Sequence, residues 1–266
     1  MKVIVLGNGN AGSYIYKYIS QYRECICLNR KHFNAIDNNY SFLSFIDEGD
    51  VVVNCVGILK PKIKKVGIEN TFLINSVFPN KVYEFCKQKN AHFFHICSDC
   101  VFKGDIGNYT EDDIRDATDI YALSKSLVNN GIILRTSFIG SNSGLLKWVL
   151  SNKNGEIDGY DNCFWNGITA LQLARVIYSF ILNDFFKENT YHIACENVIS
   201  KYELCLLIND IYNLNIKINK KSANCIEGTK INGILDRSLK SLKLIVHLPD
   251  IKNQLIDMKK FDNGNG

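Results

Sequence analysis

Short apolar runs that alternate with helical segments constrain the fold of this chain more than any other feature. Runs of this kind, without a polar–apolar alternation, are typical of parallel strands that are buried on both faces. The order strand, helix, strand therefore predicts a doubly wound α/β sheet of the Rossmann type, with right-handed crossovers. The predicted strands are residues 3–6, 25–28, 51–56, 92–97 and 131–134, and the predicted helices between them are 11–22 and 70–89.

The regular alternation of short apolar runs and helical segments ends after Gly140, which predicts a second, smaller structural unit. Ser200 and Glu203 form a capping box that begins a helix in this part of the chain. The other predicted elements are a helix at 145–150, a loop at 151–167, an amphipathic helix at 170–182 and a strand at 191–194. We expect a dinucleotide-binding domain at 1–140, to which 164–196 return, and a substrate lobe at 141–163 and 197–266.

Composition excludes several classes of function. No apolar stretch reaches the roughly 18 residues needed to cross a bilayer, and the N-terminal apolar run is too short for a signal peptide. The net charge is +4 without a basic block, so binding to nucleic acid or to a membrane surface has no electrostatic support. The ten cysteines lack the spacing of a disulfide framework, which predicts a reducing, cytoplasmic location.

A glycine-rich turn directly follows the first predicted strand. Residues Gly7, Gly9, Asn10, Ala11 and Gly12 belong to a G-x-G-x-x-G sequence that opens a helix. In this context, glycine allows a tight turn and lets the backbone approach a pyrophosphate at the helix N-terminus. We therefore predict a dinucleotide site here; the alternative is a glycine-rich turn that binds nothing.

The end of the second predicted strand indicates which dinucleotide is bound. Sites for NAD usually carry an acidic residue about 20 residues past the glycine loop, where it holds the ribose hydroxyls. This chain has Arg30 in that region and no acid, and a guanidinium suits a 2′-phosphate. The sequence therefore favours NADPH, with Arg30 as the phosphate contact, and leaves NADH open. The alternative is that Arg30 belongs to a solvated basic turn.

Three further residues predict carbonyl chemistry. Tyr121 and Lys125 are spaced i,i+4 on a predicted helix, so phenol and ammonium share one face, and both also belong to the predicted cofactor site. The ammonium is expected to lower the pKa of the phenol, as suits an acid that protonates a carbonyl oxygen. Ser98 stands at the end of the fourth strand, where ligands of doubly wound sheets lie.

Together these motifs resemble the extended short-chain dehydrogenase/reductases, and among them the family of dTDP-4-dehydrorhamnose reductases. The resemblance implies a catalytic triad of Ser98, Tyr121 and Lys125. It also implies that Asn10 to Gly12 line the cofactor, together with Cys55, Val56 and Gly57, and that Asp99 and Phe138 approach the sugar nucleotide. The segments that carry it are the glycine loop, 53–57, 75–79, 98–102, the Tyr121/Lys125 pair, 134–137, 165–169 and 200–204.

The chain departs from the family pattern in three places. The family's loop is usually G-x-x-G-x-x-G, and here Asn10 and Ser13 occupy the second and third glycine positions. Ser98 stands where many members carry threonine, which keeps the hydroxyl. The segment from Lys125 to Arg135 is short, so the catalytic helix must end near residues 129–130 and turn at once into the next strand.

These observations predict an NADPH-dependent reductase of a nucleotide-linked 4-keto-6-deoxyhexose in surface-polysaccharide synthesis. Trp165 is a candidate for stacking on the nucleotide or sugar, with simple packing between the two units as the alternative. Two other functions stay open: an epimerase or dehydratase of the same superfamily, and a non-catalytic NADP-binding regulatory subunit.

The pair Cys97 and Cys100 has no second metal-binding motif, so we predict no metal. A homodimer remains open.

Overall fold

The structure, a computed structural model, describes residues 1–226, 229–230, 233–244 and 247–264. Its centre is a parallel six-stranded sheet in the order β10-β5-β4-β3-β1-β2. These strands are β1 (Val3–Leu6), β2 (Cys25–Leu28), β3 (Val51–Asn54), β4 (His92–Ser98), β5 (Ile132–Thr136) and β10 (Asn189–His192). The predicted doubly wound sheet is confirmed, including the return of the late strand to its edge.

Helices connect the strands of this sheet and cover both of its faces. The helices of the described chain are α1 (Asn10–Ile19), α2 (Lys60–Val66), α3 (Ile68–Phe72), α4 (Phe78–Gln88), α5 (Ile120–Ser126), α6 (Gly144–Ser151), α7 (Ala170–Leu182), α8 (Lys201–Tyr212) and α9 (Ile251–Asp262). The last two follow β10 and do not connect strands of this sheet. A π-helical turn, Leu73–Val77, joins α3 to α4, so the predicted helix 70–89 is nearly continuous. In the described part of the chain, no helix is long and apolar enough to span a membrane.

Successive residues of β1 pack on opposite faces of the sheet, as the buried strand pattern requires. Val3 and Val5 join a core with α1 and α7, where the segment 170–182 is amphipathic. Ile4 and Leu6 pack on the other face against Phe78 and neighbouring residues of α4. Each strand is therefore apolar throughout, because both of its faces are covered by helices.

The remaining strands are short and lie in four small sheets. They are β6 (Phe138–Ile139), β7 (Glu156–Tyr160), β8 (Cys163–Trp165), β9 (Ile168–Thr169), β11 (Ile199–Ser200), β12 (Lys217–Lys221), β13 (Cys225–Ile226), β14 (Thr229–Lys230) and β15 (Leu235–Asp236). The capping box of Ser200 and Glu203 begins α8 as predicted. Parts of the predicted substrate lobe, namely 227–228, 231–232, 245–246 and 265–266, lie outside the described residues.

The prediction of a loop at 151–167 is wrong, because this stretch contains β7 and β8. Strand β7 pairs in parallel with β12, so that Glu156 lies opposite Lys217 and Tyr160 opposite Lys221. Strand β8 lies between β11 and β15. The many Asn, Gly and Asp residues of this stretch favour turns locally, and only partners from β11, β12 and β15, far away in sequence, turn it into strands.

Candidate active site

The glycine loop forms an open cradle at the N-terminus of α1. Gly7 has φ +93°, a conformation that favours glycine, and a Cβ added at Gly12 would lie 1.8 Å from the Gly7 carbonyl oxygen. Gly9 is the N-cap of α1 and faces open space, and no side chain caps the helix. The first N–H groups of α1 can therefore bind an anion, so the chain's own geometry fits a dinucleotide pyrophosphate.

Asn10, at the second glycine position of the family pattern, fastens the loop to the segment before α6. Its Nδ2 donates to the Ser143 carbonyl oxygen at 3.3 Å, and Nδ2 of the Asn142 side chain donates to Ser13 Oγ at 2.8 Å. Within the described residues, the buried Oδ1 of Asn10 has no hydrogen-bond partner. The two departures from the glycine pattern thus act as polar contacts between the loop and residues 142–143.

The other predicted cofactor residues lie at the ends of neighbouring strands. Cys55, Val56 and Gly57 directly follow β3, beside the glycine loop: the ideal Cβ of Gly7 lies 3.2 Å from the Val56 side chain. Arg30 follows β2 in an exposed turn. This position is open to a ligand at the sheet edge, and the role of Arg30 remains a prediction.

Ser98 and Tyr121 meet at the carboxyl end of β4. The Ser98 hydroxyl donates to Asp99 Oδ1 at 3.0 Å and accepts from the Cys100 amide at 3.1 Å. Tyr121 lies in the first turn of α5, whose N-cap Asp119 accepts from the Ala122 amide. The Tyr121 ring is buried and close enough to Ser98 for that side chain to act on the pKa of the phenol.

The start of α5 is also held by an ion pair. Lys60 Nζ lies 2.8 Å from Asp119 Oδ2, so a residue at the start of α2 fixes the N-cap of the helix that carries Tyr121. The helix ends at Ser126, and Gly131, at φ +87°, turns the chain into β5. The helix is short, as expected, and ends at Ser126, before the predicted 129–130.

The structure differs from the expected effect of Lys125 on Tyr121. Burial raises the pKa of the Tyr121 phenol well above its ordinary value, with the neighbouring Cys100 as the next contribution and Ser98 opposing the rise. Lys125, also buried, donates from Nζ to the Ile96 carbonyl oxygen at 2.7 Å and lies 3.1 Å from His95 Nε2. Its amine is turned towards β4, and the phenol's pKa is raised rather than lowered, contrary to the expectation from the i,i+4 spacing.

Asn75 is a further buried polar residue of this site, on the π-helical turn. Its Oδ1 accepts from the Ile58 amide at 2.7 Å, and its Nδ2 donates to the Ile58 carbonyl oxygen at 3.0 Å and to Ser124 Oγ at 2.9 Å. Asn75 therefore fixes the chain after β3 against α5, the two elements that contribute predicted cofactor residues.

Trp165 is buried, and its Nε1 donates to Ser137 Oγ at 2.8 Å. Lys201 Nζ lies over the indole at 4.9 Å from the ring centre. Burial lowers the pKa of Lys201 and the negative charge of Asp99 opposes this, so the lysine lies near Asp99, next to Ser98 of the predicted triad. Phe138 is half-buried in β6. The substrate contacts proposed for Asp99, Phe138 and Trp165 remain predictions.

Arg237 also lies beside the triad. Its Nε donates to the Phe102 carbonyl oxygen at 2.8 Å, and its Nη1 lies 3.9 Å from Cys100 Sγ. The sequence analysis assigned no site role to Lys201, although it lies in the 200–204 segment, and it missed Arg237, which no local pattern marks. Across the described ranges, no group of three His, Cys, Asp or Glu side chains could hold a metal ion.

The fold and the site together define a Rossmann-fold protein of the short-chain dehydrogenase/reductase type. A glycine loop after β1, a serine at the end of β4 and a Tyr–Lys pair on α5 surround one edge of the sheet. The model of the family described as RmlD substrate binding domain matches residues 1–241. The chain belongs to this family, which confirms the resemblance seen in the sequence.

Similar proteins are found among curated sequences and solved structures. The spore coat polysaccharide biosynthesis protein SpsK of Bacillus subtilis is 25% identical over 225 residues, 78% of each chain. The dTDP-4-dehydrorhamnose reductase of Bacillus anthracis in complex with NADP has a TM-score of 0.83 and 18% identity, covering 97% of this chain and 98% of its own. The GDP-mannoheptose C4 reductase of Campylobacter jejuni with NADP bound has a TM-score of 0.73 and 12% identity, covering 98% of each chain. The fold is therefore shared along nearly the whole chain.

Proposed function

We propose that this protein reduces the keto group of a nucleotide-linked deoxysugar with NADPH, in the synthesis of a surface polysaccharide. The observation that carries the proposal is the convergence of three elements on one edge of the sheet. These are the uncapped N-terminus of α1, Ser98 at the end of β4, and Tyr121 with Lys125 on α5. In doubly wound sheets, this edge is where ligands bind.

The roles of the residues follow from their chemistry. Reduced nicotinamide, when bound, supplies the hydride for the carbonyl carbon. Tyr121 donates its phenolic proton to the carbonyl oxygen, and its raised pKa keeps that proton in place at neutral pH. Ser98 exchanges its bond to Asp99 for one to the same oxygen, which orients the sugar. Lys125 holds the cofactor ribose next to Tyr121.

The choice between NADPH and NADH rests on Arg30 and on the cofactors of proteins with the same fold. The exposed guanidinium at the end of β2 suits a 2′-phosphate, because it offers charge-assisted hydrogen bonds to a dianion. Two proteins of the same fold, the reductases of Bacillus anthracis and Campylobacter jejuni, are known with NADP. These observations support NADPH as the cofactor of this chain.

The substrate class rests on the charges beside the triad. Lys201 and Arg237 place two cations around Asp99 and Cys100, and we propose that they bind the diphosphate of a nucleotide sugar. Asp99 and Phe138 then contact the sugar, and Trp165 closes the pocket behind Lys201. The name of the relative SpsK, a spore coat polysaccharide protein, supports a product used in a surface polysaccharide.

The function can be tested by following NADPH oxidation with a panel of dTDP-, UDP- and GDP-linked 4-keto-6-deoxysugars. We expect turnover with at least one member of the panel, and a reduced sugar as the product. Oxidation of NADPH with none of them, despite binding, would overturn the proposal in favour of a regulatory subunit. Conversion of the sugar without net NADPH consumption would instead indicate an epimerase or a dehydratase.

A further inference from the structure

Two segments of the chain carry predicted cofactor and acid residues at the carboxyl edge of the sheet. The first is segment 55–60, which follows β3, begins with residues 55–57 and ends at Lys60, the first residue of α2. The second is α5, which carries Tyr121 and Lys125. Their separation sets how the cofactor faces the proton donor, so the contacts that fix this separation bear on the reaction.

A buried amide joins the two segments on their inner side. Asn75 is fully buried; its Oδ1 accepts from the Ile58 amide at 2.7 Å, and its Nδ2 donates to Ser124 Oγ on α5 at 2.9 Å. Ser76 Oγ donates to the Ser124 carbonyl oxygen at 2.6 Å. These buried bonds hold segment 55–60 and α5 together near Ile58 and Ser124.

An ion pair joins the same two segments on their outer side. Lys60 Nζ lies 2.8 Å from Asp119 Oδ2, and the two side chains are 11% and 37% exposed. Asp119 is the N-cap of α5: its Oδ1 accepts from the Ala122 amide at 3.1 Å, and its carbonyl oxygen accepts from the Leu123 amide at 2.9 Å. One carboxylate therefore caps α5 and also anchors segment 55–60 to it.

Tyr121 lies between the two attachment points, two residues after Asp119 and three before Ser124. Helix α5 has seven residues, and a helix shorter than about 12–15 residues is marginal without contacts to the rest of the protein. Its first turn is therefore positioned by the groups that it touches. Capping alone does not require the ion pair, because an uncharged Asn caps a helix as well as Asp does. The ammonium of Lys60 thus adds a link that the cap itself does not provide.

We propose that Lys60 and Asp119 are positioning residues that fix the first turn of α5 against segment 55–60 and so align Tyr121 with the bound cofactor. A misplaced acid slows proton transfer while the ligands still bind, so the loss falls on kcat rather than on KM. This catalytic consequence rests on the proposed function, whereas the hold of the ion pair on α5 does not.

The variant Lys60→Met removes the ammonium and keeps the apolar stem of the side chain. With NADPH and a keto sugar that the native protein reduces, kcat should fall about 5-fold, at the upper end of what a partly exposed ion pair contributes, and KM should stay within about 2-fold. Asp119→Asn keeps the cap and removes the ion pair, so it should show the same fall. Lys62→Met, the same change at an exposed position of α2, is the control and should keep the native kcat. A native kcat in Lys60→Met, or an equal loss in Lys62→Met, overturns the proposal.

A double variant and a charge-conserving variant separate the ion pair from its two single side chains. Lys60→Met combined with Asp119→Asn should lose no more activity than either change alone, because both remove the same interaction. Independent effects would multiply to a loss of about 25-fold and contradict the proposal. Lys60→Arg keeps the charge, so it should recover most of the activity that Lys60→Met loses.

Amide hydrogen exchange of the free protein tests the hold on α5 without any substrate. The amides of Ala122 and Leu123 should exchange about 5-fold faster in Lys60→Met than in the native protein or in Lys62→Met. Unchanged exchange overturns the proposal, and so does faster exchange with a native kcat, which would leave the ion pair a role in stability alone. If the native protein reduces no keto sugar, the proposed function fails, and the exchange rates still decide whether the ion pair holds α5. If Lys60→Met does not fold, Asp119→Asn allows both measurements.

Discussion

Two buried histidines, His95 on β4 and His192 on β10, each lie beside a basic side chain, and their other hydrogen-bond partners differ in kind. At His192, Nδ1 donates to the carbonyl oxygens of Tyr109 and Lys240 at 2.9 and 3.2 Å. Its Nε2 therefore accepts from Arg135 Nη1 at 3.1 Å. At His95, Nδ1 lies 3.0 Å from Asn54 Nδ2, and Nε2 lies 3.1 Å from Lys125 Nζ.

The difference lies in what holds each histidine. Two backbone carbonyl oxygens hold His192 with its proton on Nδ1, so its Nε2 accepts from Arg135, which does not lose its proton in proteins. His95 is held by side chains of two other elements, Asn54 on β3 and Lys125 on α5. The first arrangement is set by the backbone, and the second depends on a side chain of the candidate site.

The two sites also differ in what they hold together. His192 joins the edge strand β10 to residues 109 and 240, far apart in sequence, and this is a structural role. His95 contacts the lysine that we place beside the nicotinamide ribose. We therefore expect changes near His95 to alter catalysis and changes at His192 to alter stability.

The largest expected effect is on turnover. If it is absent, the contrast between a catalytic region near His95 and a structural region near His192 no longer holds. Tyr121→Phe removes one oxygen and keeps the buried ring, so fold and cofactor binding should survive. General acid catalysis contributes about 10²- to 10⁴-fold, and kcat should fall by that order. His192→Asn is the matched change at the other site and should leave kcat within a few-fold. Full activity of Tyr121→Phe means that Tyr121 is not the acid.

The next largest effect is on stability at acidic pH. Burial, with Arg135 beside it, lowers the pKa of His192 from 6.5 to about 4 in the folded protein. The unfolded chain binds this proton first, so stability is lost as the pH falls from 6.5 towards 4. One pKa unit corresponds to about 1.4 kcal/mol, so the loss reaches about 3 kcal/mol.

Urea unfolding of the native protein and of His192→Asn over this pH range measures that contribution. The native protein should lose more stability on acidification than the variant, because the variant lacks the titrating ring. Other buried histidines, including His95, titrate in both proteins and cancel in the difference. Parallel pH profiles for the two proteins would show that the pKa of His192 is not lowered in the folded protein.

A smaller effect, on cofactor choice, sharpens the contrast between buried and exposed arginines. Arg135 is buried, whereas Arg30 is exposed at the edge where we expect the 2′-phosphate. Arg30→Ala should weaken NADPH binding about 10- to 150-fold, the value of about 1.5–3 kcal/mol for a charge-assisted bond, and leave NADH binding nearly unchanged. Lys31→Ala, the same truncation one residue later, is the control. Equal affinity of the native protein for both cofactors contradicts the assignment.

Local patterns predicted the parts of the molecule that depend on local sequence. The apolar runs identified the strands of the central sheet, and the glycine loop, Ser98 and the Tyr121/Lys125 spacing placed the candidate site at its carboxyl edge. These features are encoded within a few residues, because strand burial, turn geometry and helical spacing are short-range properties. They could be predicted before any contact was known.

Contacts between distant residues could not be predicted in this way. The pairing of β7 with β12 joins segments that each look like turn or surface sequence. The partner of Lys125 is His95, thirty residues earlier in the chain, so the i,i+4 spacing with Tyr121 gave the wrong expectation for the phenol. The protonation of a buried side chain depends on every partner it meets, and those come from several elements.

The transfer of deuterium to the sugar, from NADPH that carries deuterium at both C4 positions, tests the central claim most directly. If the protein reduces the keto group, mass spectrometry of the isolated nucleotide sugar shows one deuterium on the former carbonyl carbon in each turnover, and Tyr121→Phe slows its appearance about 10²- to 10⁴-fold. A sugar that is converted without acquiring deuterium, or NADPH that stays reduced with every 4-keto sugar offered, would contradict the account.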